Sequence, residues 1–371
     1  MAGIYVHIPF CARRCIYCGF FSTVRENEAA RYVNAVCHEL ELRRDYLDGA
    51  PVRTVYFGGG TPSRLTPGQI AQVIDSIRTV YGLDNLEELT VECNPDDITP
   101  AFASALKKLG VNRISMGVQT FNDDLLRFLN RRHTAAQALD AVRICHESGI
   151  NNISIDLMYG LPGQTDQIQL QDLETATGLD VSHISSYCLS FEEGSPLEKM
   201  RNDGRVTPAD DDTCARMYNR MCTSLHQAGF EHYEISNFCR PGYHSRHNSS
   251  YWDGTSYLGL GAGAHSYNRK SRQWNPSNLD TYMSAIEQGK PLFESEKLSP
   301  TDLYNEKIML SLRTSKGLDL TTLTNADRLT VLKSAECLLF NGSLVSDNNS
   351  LRIPESHMFI SDAIICSLFK D

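Results

Sequence analysis

The chain has 371 residues, of which 41% are hydrophobic and 22% charged, with a net charge of −10. That composition suits a globular protein with room for one large domain and a smaller one. The acidic balance argues against a nucleic-acid partner held by phosphate neutralisation, and no apolar run approaches the ~18 residues of a membrane span. Met1–Phe10 has no basic segment and reaches Cys11 too soon for a secretion signal. A cytoplasmic protein is expected, compatible with peripheral membrane association and with a homodimer.

Short β-branched runs alternate with amphipathic stretches along the first half. The candidate strands are Ile4–Ile8, Thr54–Phe57, Glu88–Glu92, Arg113–Gly117, Asn152–Met158 and His183–Leu189. Helical patterns fall near Glu28–Tyr46, Pro67–Tyr81, Thr99–Leu109, Ala135–Ser148 and Gln167–Thr177. Pro67 and Pro100 follow Thr66 and Thr99, which is an N-cap before a first-turn proline, and Gly110 and Gly149 stand where helices should stop. The alternation predicts an α/β fold with parallel strands and crossover helices, as a (β/α) barrel or an open doubly wound sheet. The unusual residues gather where strands end: Cys11, Gly58-Gly59-Gly60-Thr61-Pro62, Glu92, Gln119 and Asp156. In either topology that edge is one face, where sites are built.

Residues 1–209 read as this core. Residues 210–298 are richer in aromatics and histidine and read as a second region. In residues 299–371 short helices surround a hairpin at Ser343–Val345 and Leu351–Ile353, a winged-helix-like pattern. DNA binding would be the ordinary use of such a module. Here Pro300–Asp371 holds seven Lys/Arg against nine Asp/Glu, and the helix candidate Asp327–Phe340 sums to zero charge. A packing or partner role is favoured.

Of twelve cysteines, nine are scattered singly and read as buried small hydrophobes in a reducing compartment. Cys11, Cys15 and Cys18 form Cys-x-x-x-Cys-x-x-Cys on a loop after a strand. Three close thiolates select zinc, copper(I) or an iron–sulfur cluster. Zinc would need a fourth ligand, for which His7 is the nearby candidate. On a [4Fe–4S] cubane the three thiolates leave one iron open, fitted to a bidentate amine and carboxylate.

With Tyr17 as the aromatic before its last cysteine, the triplet resembles the radical SAM superfamily motif. The resemblance implies a partial (β/α) barrel in which the open iron chelates S-adenosylmethionine. It extends through Tyr5-Val6-His7-Ile8-Pro9-Phe10-Cys11, Gly58-Gly59-Gly60-Thr61-Pro62, Val91-Glu92-Cys93-Asn94-Pro95 and Gly117-Val118-Gln119-Thr120-Phe121. Leu129-Asn130-Arg131 and Ile155-Asp156-Leu157-Met158-Tyr159-Gly160-Leu161-Pro162 complete the set. The ordered set resembles the branch that holds oxygen-independent coproporphyrinogen III oxidase. The likeness implies that Tyr5, Gly59, Gly60, Thr61, Glu92, Gln119, Arg131 and Asp156 hold S-adenosylmethionine, with Glu92 on its ammonium group. The glycines are expected to offer N–H groups to a carboxylate, and Asp156, in an apolar strand, should have a partner.

Three features depart from the oxidase. Its fourth cysteine is replaced by Phe20, the chain begins directly on the first strand, and His247-Asn248-Ser249-Ser250-Tyr251-Trp252 matches the His-Asn-x-x-Tyr-Trp motif of the HemW haem-chaperone family. That resemblance implies haem binding at His247, Asn248, Tyr251 and Trp252 and delivery of haem to respiratory acceptor proteins. Imidazole ligates haem iron, and Tyr and Trp offer flat faces to a porphyrin. The plain alternative for His247 is a surface-loop histidine beside two core aromatics, and Pro241-Gly242 favours a loop there. Two other readings stay open. One is an oxidase that decarboxylates coproporphyrinogen III, the other a zinc-stapled binding module. The Leu258–His265 run has alternating glycines without a dinucleotide-binding context and is expected to pack near the site.

Overall fold

A computed structural model describes residues 1–370. The six β-branched runs are strands β1 (Ala2–Ile8), β2 (Val52–Gly59), β3 (Glu88–Cys93), β4 (Arg113–Gln119), β5 (Asn152–Tyr159) and β6 (His183–Cys188). They lie side by side in chain order and in parallel. The connections carry α1 (Ala29–Leu42), α2 (Pro67–Tyr81), α3 (Pro100–Lys108), α4 (Asp123–Phe128), α5 (Ala135–Glu147) and α6 (Asp166–Gly178).

Local chemistry fixes the boundaries. On α2, the Thr66 side chain accepts from the Gln69 N–H while the Gln69 side chain reaches back to the Thr66 N–H, and Pro67 supplies the first helical φ. Ile70, Val73, Ile74 and Ile77 recur at helical spacing and are buried, each stabilising the core by about 1.5–3 kcal/mol. The expected helix 28–46 stops at Leu42 instead. Arg43 turns inward there, where its guanidinium donates to Glu39, Ser266, Gln273 and the Gly259 carbonyl. That use of a cation is invisible to amphipathic periodicity.

The parallel strands are two-faced. Ile4, Val6, Ile8, Val55, Phe57, Val91, Ile114, Met116, Ile153 and Ile155 form the apolar core. On the opposite face the register aligns polar rows: Tyr5, Tyr56, Thr90 and Arg113, then Glu92, Ser115, Ser154 and His183, then Gly117, Asp156 and Ser185. An alternation of this kind gives a curved sheet with helices outside and a polar interior.

After α7 (Pro196–Asn202) and α8 (Asp211–Gln227) come β7 (Glu231–Glu234), β8 (Asn237–Cys239), α9 (Arg246–Trp252), β9 (Ser256–Leu260), β10 (His265–Tyr267), β11 (Ser271–Trp274), α10 (Leu279–Glu287) and β12 (Glu294–Lys297). The sheet order is β12-β11-β10-β9-β1-β2-β3-β4-β5-β6-β8-β7. Segment 210–298 is thus woven into both ends of the core sheet, with β9 parallel to β1 and the other additions antiparallel. The chain ends in α11 (Pro300–Leu312), β13 (Leu318–Asp319), α12 (Asn325–Phe340), β14 (Val345–Asp347), β15 (Ser350–Arg352) and α13 (Ser361–Cys366), with a small sheet ordered β13-β15-β14.

Candidate functional site

The cysteine loop leaves β1 and is closed at its base by two backbone hydrogen bonds, Cys11 N–H to Thr23 O at 2.8 Å and Thr23 N–H to Pro9 O at 2.7 Å. Its middle is anchored by Ile16, which pairs through its backbone with Leu129 and Leu197, and by Ile16 and Tyr17 packing on Leu125, Leu129 and Leu161. Cys11, Cys15 and Cys18 are half-buried and unoxidised. Burial pushes the Cys11 and Cys18 thiols up from their ordinary range, so thiolates here call for a bound centre that stabilises them.

The donor set fits a cluster better than a single zinc ion. Thiolates on one tetrahedral zinc stand about 3.8 Å apart, given Zn–S of about 2.3 Å. Among the described residues, two groups bring three ligand atoms within 4.8 Å of one another, and the triplet is in neither. His7 is not available as a fourth zinc ligand. Its Nδ1 meets the Tyr5 hydroxyl at 3.1 Å and its Nε2 the Phe21 carbonyl at 2.9 Å, with the ring 4% exposed.

The remaining expected residues gather around the triplet. Thr61 Oγ1 lies 3.4 Å from Cys11 Sγ. Arg131 donates to Cys15 Sγ at 3.3 Å, to Asn94 Oδ1 at 2.7 Å and to the Gly117 carbonyl. Its own carbonyl accepts from Arg13 at 2.6 Å, so Arg131 ties the loop to the ends of β3 and β4. Glu92 accepts from the Tyr56 hydroxyl at 2.7 Å and the Gly59 N–H at 3.2 Å. Burial, with the charge of Asp156, pushes its carboxyl up to about 7. Asp156 is raised to about 6, chiefly by burial, against a hydrogen bond from Ser185. Gln119 is buried at φ +71°, where β4 bulges against β5. The following turn is held by Asp172 of α6, which accepts from Thr120 and from the Phe121 N–H.

One expectation changes. The glycine run does not present its N–H groups to a ligand: Gly59 N–H is used by Glu92, and Gly60 N–H by the Ile8 carbonyl at 2.9 Å. Gly59 is glycine for space and dihedral together. Its φ is +110°, and a Cβ there would stand 2.5 Å from the His7 ring.

Several contributors escaped the sequence reading. Tyr56, Asn94, Asp172 and Ser185 are ordinary polar residues until the register places them. Arg113 sits in the interior, 1% exposed, with Nε and Nη1 unpartnered. An arginine opening a β-branched run was the one visible signal.

The histidine motif lies at the other end of the strands. His247 is neither a surface-loop residue nor open to a ligand. It lies in the first turn of α9 and is fully buried, with Nδ1 2.8 Å from Thr54 Oγ1 and Nε2 2.9 Å from the Tyr251 hydroxyl. Its ring stacks on Tyr56 at 5.1 Å and 23°. Gly3 makes room, since a Cβ there would stand 3.2 Å from the imidazole. Glu88 accepts from the N–H groups of Arg246 and His247 at 2.8 and 3.0 Å. Burial lowers the His247 pKa to about 3, so the ring is neutral. Both ring nitrogens are engaged within the protein. His244 stands apart, exposed and edge-on to Tyr233. Trp252 is half-buried and lines a cleft of about 890 Å3 together with His244, Arg246, Tyr267, Leu303 and Lys307. This cleft is away from the cysteine triplet. The Leu258–His265 run packs beside the loop: Gly261 N–H donates to Glu39, Ala262 N–H to Tyr32, and Gly263 lies against Phe21.

Comparison with known proteins bears on the fold and the family. The family model described as Radical SAM superfamily matches residues 5–174. A protein of Mycobacterium tuberculosis named Heme chaperone HemW is 34% identical over 371 residues, covering 99% of this chain and 94% of its own. The Bacillus subtilis protein of the same name is 36% identical over 321 residues, covering 85% and 84%. Among solved structures, coproporphyrinogen III oxidase (HemN) of Escherichia coli superposes with a TM-score of 0.86 at 24% identity, over 100% of this chain and 90% of that one. With an α/β radical SAM fold, a three-cysteine loop at the strand ends and relatives of near-equal length, the chain belongs to the HemW haem-chaperone family of the radical SAM superfamily.

Proposed function

We propose that the protein is a haem chaperone that carries a [4Fe–4S] cluster and S-adenosylmethionine and passes haem to respiratory acceptor proteins in the cytoplasm or at its membrane face. The observation that carries this reading is the end-to-end relationship with the HemW chaperones. Cys11, Cys15 and Cys18 would hold three irons and leave the fourth to the amine and carboxylate of S-adenosylmethionine. The bound cluster supplies an electron to the sulfonium. The protein's own part is placement. Arg131 and Thr61 steady Cys15 and Cys11, while Glu92 and Asp156 offer carboxylates, without a salt bridge of their own, to a cationic ligand. Tyr5, Gly59, Gly60 and Gln119 wall the same space.

Haem is assigned to the reachable side of the His-Asn-x-x-Tyr-Trp helix. The cleft beside Trp252 has the size of a cofactor pocket. It offers aromatic faces in Trp252 and Tyr267, an imidazole in His244, and cations in Arg246 and Lys307 for propionates. Asn248 shares α9 with Trp252, and Tyr251 turns inward to hold His247, so these motif residues would act on the cleft only through the helix.

The rival reaction is oxidative decarboxylation of coproporphyrinogen III. The side chain at the oxidase's fourth-cysteine position is here Phe20, 68% exposed. The reconstituted protein should bind haem near-stoichiometrically and leave coproporphyrinogen unchanged when assayed anaerobically with reductant and S-adenosylmethionine. A protein that ignores haem, or turns over the porphyrinogen, overturns the reading.

A further inference from the structure

A second cluster of ligand-type side chains lies outside the cysteine loop, at the joint between the sheet and the C-terminal elements. Cys222 and His226 are four residues apart on α8 and share a face. His232 lies on β7, the strand that follows. Glu355 comes from the C-terminal side, on the 3-10 turn Glu355–Ile360. Glu355 Oε1 is 2.7 Å from His232 Nδ1 and 3.3 Å from His226 Nε2. Ligand atoms of Cys222, His232 and Glu355 all lie within 4.8 Å of one another, and His226, outside that trio, approaches it through Glu355. Cys222 is buried, and the His232 side chain is 6% exposed.

The orientation of His232 is set from behind. Its Nε2 faces the Ile235 carbonyl at 3.4 Å, and its ring stacks on Phe238 at 4.1 Å and 11°. A ring that donates from Nε2 presents the Nδ1 lone pair to the Glu355 carboxylate. Two acceptors at 2.7 Å require a proton or a cation between them. A carbonyl behind the distal nitrogen is also how metal-ligating histidines are commonly held. The other charges facing this joint are Glu234 and Arg352, with Arg313 near Glu234.

We propose that Cys222, His232 and Glu355 form the core of a site for a borderline divalent cation of the zinc class, with the more exposed His226 as its fourth ligand. One thiolate, two imidazoles and one carboxylate are an ordinary donor set for tetrahedral zinc. Three ligands come from α8 and β7 and one from the C-terminal segment, so the ion fastens that segment to the edge of the sheet. Binding displaces to solvent the Cys222 thiol proton and the proton held between His232 and Glu355, and involves no redox change.

The test uses the full-length chain with Cys11, Cys15 and Cys18 changed to Ser, so that the loop cannot take the metal, titrated with Co2+. The expected result is one tightly bound Co2+ per chain, with a thiolate-to-cobalt absorption band that Zn2+ abolishes. Cys222→Ser should remove the band. Glu355→Gln, at a half-exposed position, should weaken binding at least tenfold while far-UV circular dichroism stays unchanged. Zinc analysis of the wild-type chain with its cluster reconstituted gives a second reading, in which Cys222→Ser loses the zinc and keeps the iron. Absence of bound cobalt, cobalt without the band, or a band indifferent to Cys222→Ser overturns the proposal.

Discussion

At the C-terminal end of the strands, Glu92 and Asp156 hold carboxyls raised by burial, with hydrogen bonds from Tyr56, Gly59 and Ser185 and no salt bridge. At the N-terminal end, His247 has both ring nitrogens bonded, a stacked neighbour, and a carboxylate capping its helix. Both ends carry motif residues, yet the upper end holds buried carboxyls without a cationic partner, whereas the unpartnered group near the lower end is the cation Arg113. Unmet buried polarity is costly unless a ligand completes it. The upper end thus offers buried carboxylates to a cationic ligand, while at the lower end the motif histidine itself has no free nitrogen.

The largest expected effect is at the upper end. Replacing any one of Cys11, Cys15 or Cys18 with Ala should abolish the iron–sulfur absorption of the reconstituted protein and leave the melting temperature of the cluster-free chain nearly unchanged. An intact spectrum would break the assignment. The lower end should behave in the opposite way. His247→Ala strands the Thr54 and Tyr251 hydroxyls and opens a void, which costs about 3–5 kcal/mol. In a chain of this length that lowers the melting temperature by roughly 1–1.5 °C per kcal/mol. Its iron content should hold below that temperature. A His247→Ala protein of wild-type stability that specifically loses haem would make His247 a ligand rather than a packing residue.

A third expectation concerns Arg131. Arg131→Lys keeps the charge but cannot reach Cys15, Asn94 and the Gly117 carbonyl together, so S-adenosylmethionine binding should weaken by about 1.5–3 kcal/mol in an equilibrium titration. A fourth uses pH. A carboxyl raised to about 7 is half protonated there. A cationic ligand favours the ionised form, so binding releases a proton and strengthens as pH rises through about 7. Glu92→Gln should bind more weakly and flatten that rise; an unchanged profile would remove Glu92 from the ammonium site. The smallest effect is expected at Phe20, whose exposed side chain can become Ala with less than about 0.5 kcal/mol change in stability.

Much of the upper site was legible because its residues break local rules. Three cysteines on one loop, a glycine run and an aspartate among Ile155, Leu157 and Met158 all stand out in a linear chain. The strand order followed from β-branched runs and helix punctuation, as at Thr66-Pro67. The lower end was not legible. His247 reads as exposed because Pro241-Gly242 announces a turn, while its burial depends on Gly3 and Thr54, some two hundred residues earlier. The glycine run misled for a related reason. Glycine marks a close approach without saying to what, and at Gly59 the close partner is His7. Arg43 ended α1 early through partners on β9, β10 and β11, which no local pattern could supply.

The pairing of β1 has a consequence in time. β1 is flanked by β2 on one side and by β9 on the other, with Ile4 opposite Leu258. On a ribosome adding about 5–20 residues per second, the second neighbour arrives roughly 12–50 s after the first strand emerges. Until then β1 keeps a bare edge, and the cysteine loop at its tip hangs from half a sheet. The helix bearing His247 is made just before β9, so this helix and the closing strand are delivered together. A nascent chain halted before residue 246 should therefore remain open to holdase chaperones and to proteolysis at the loop.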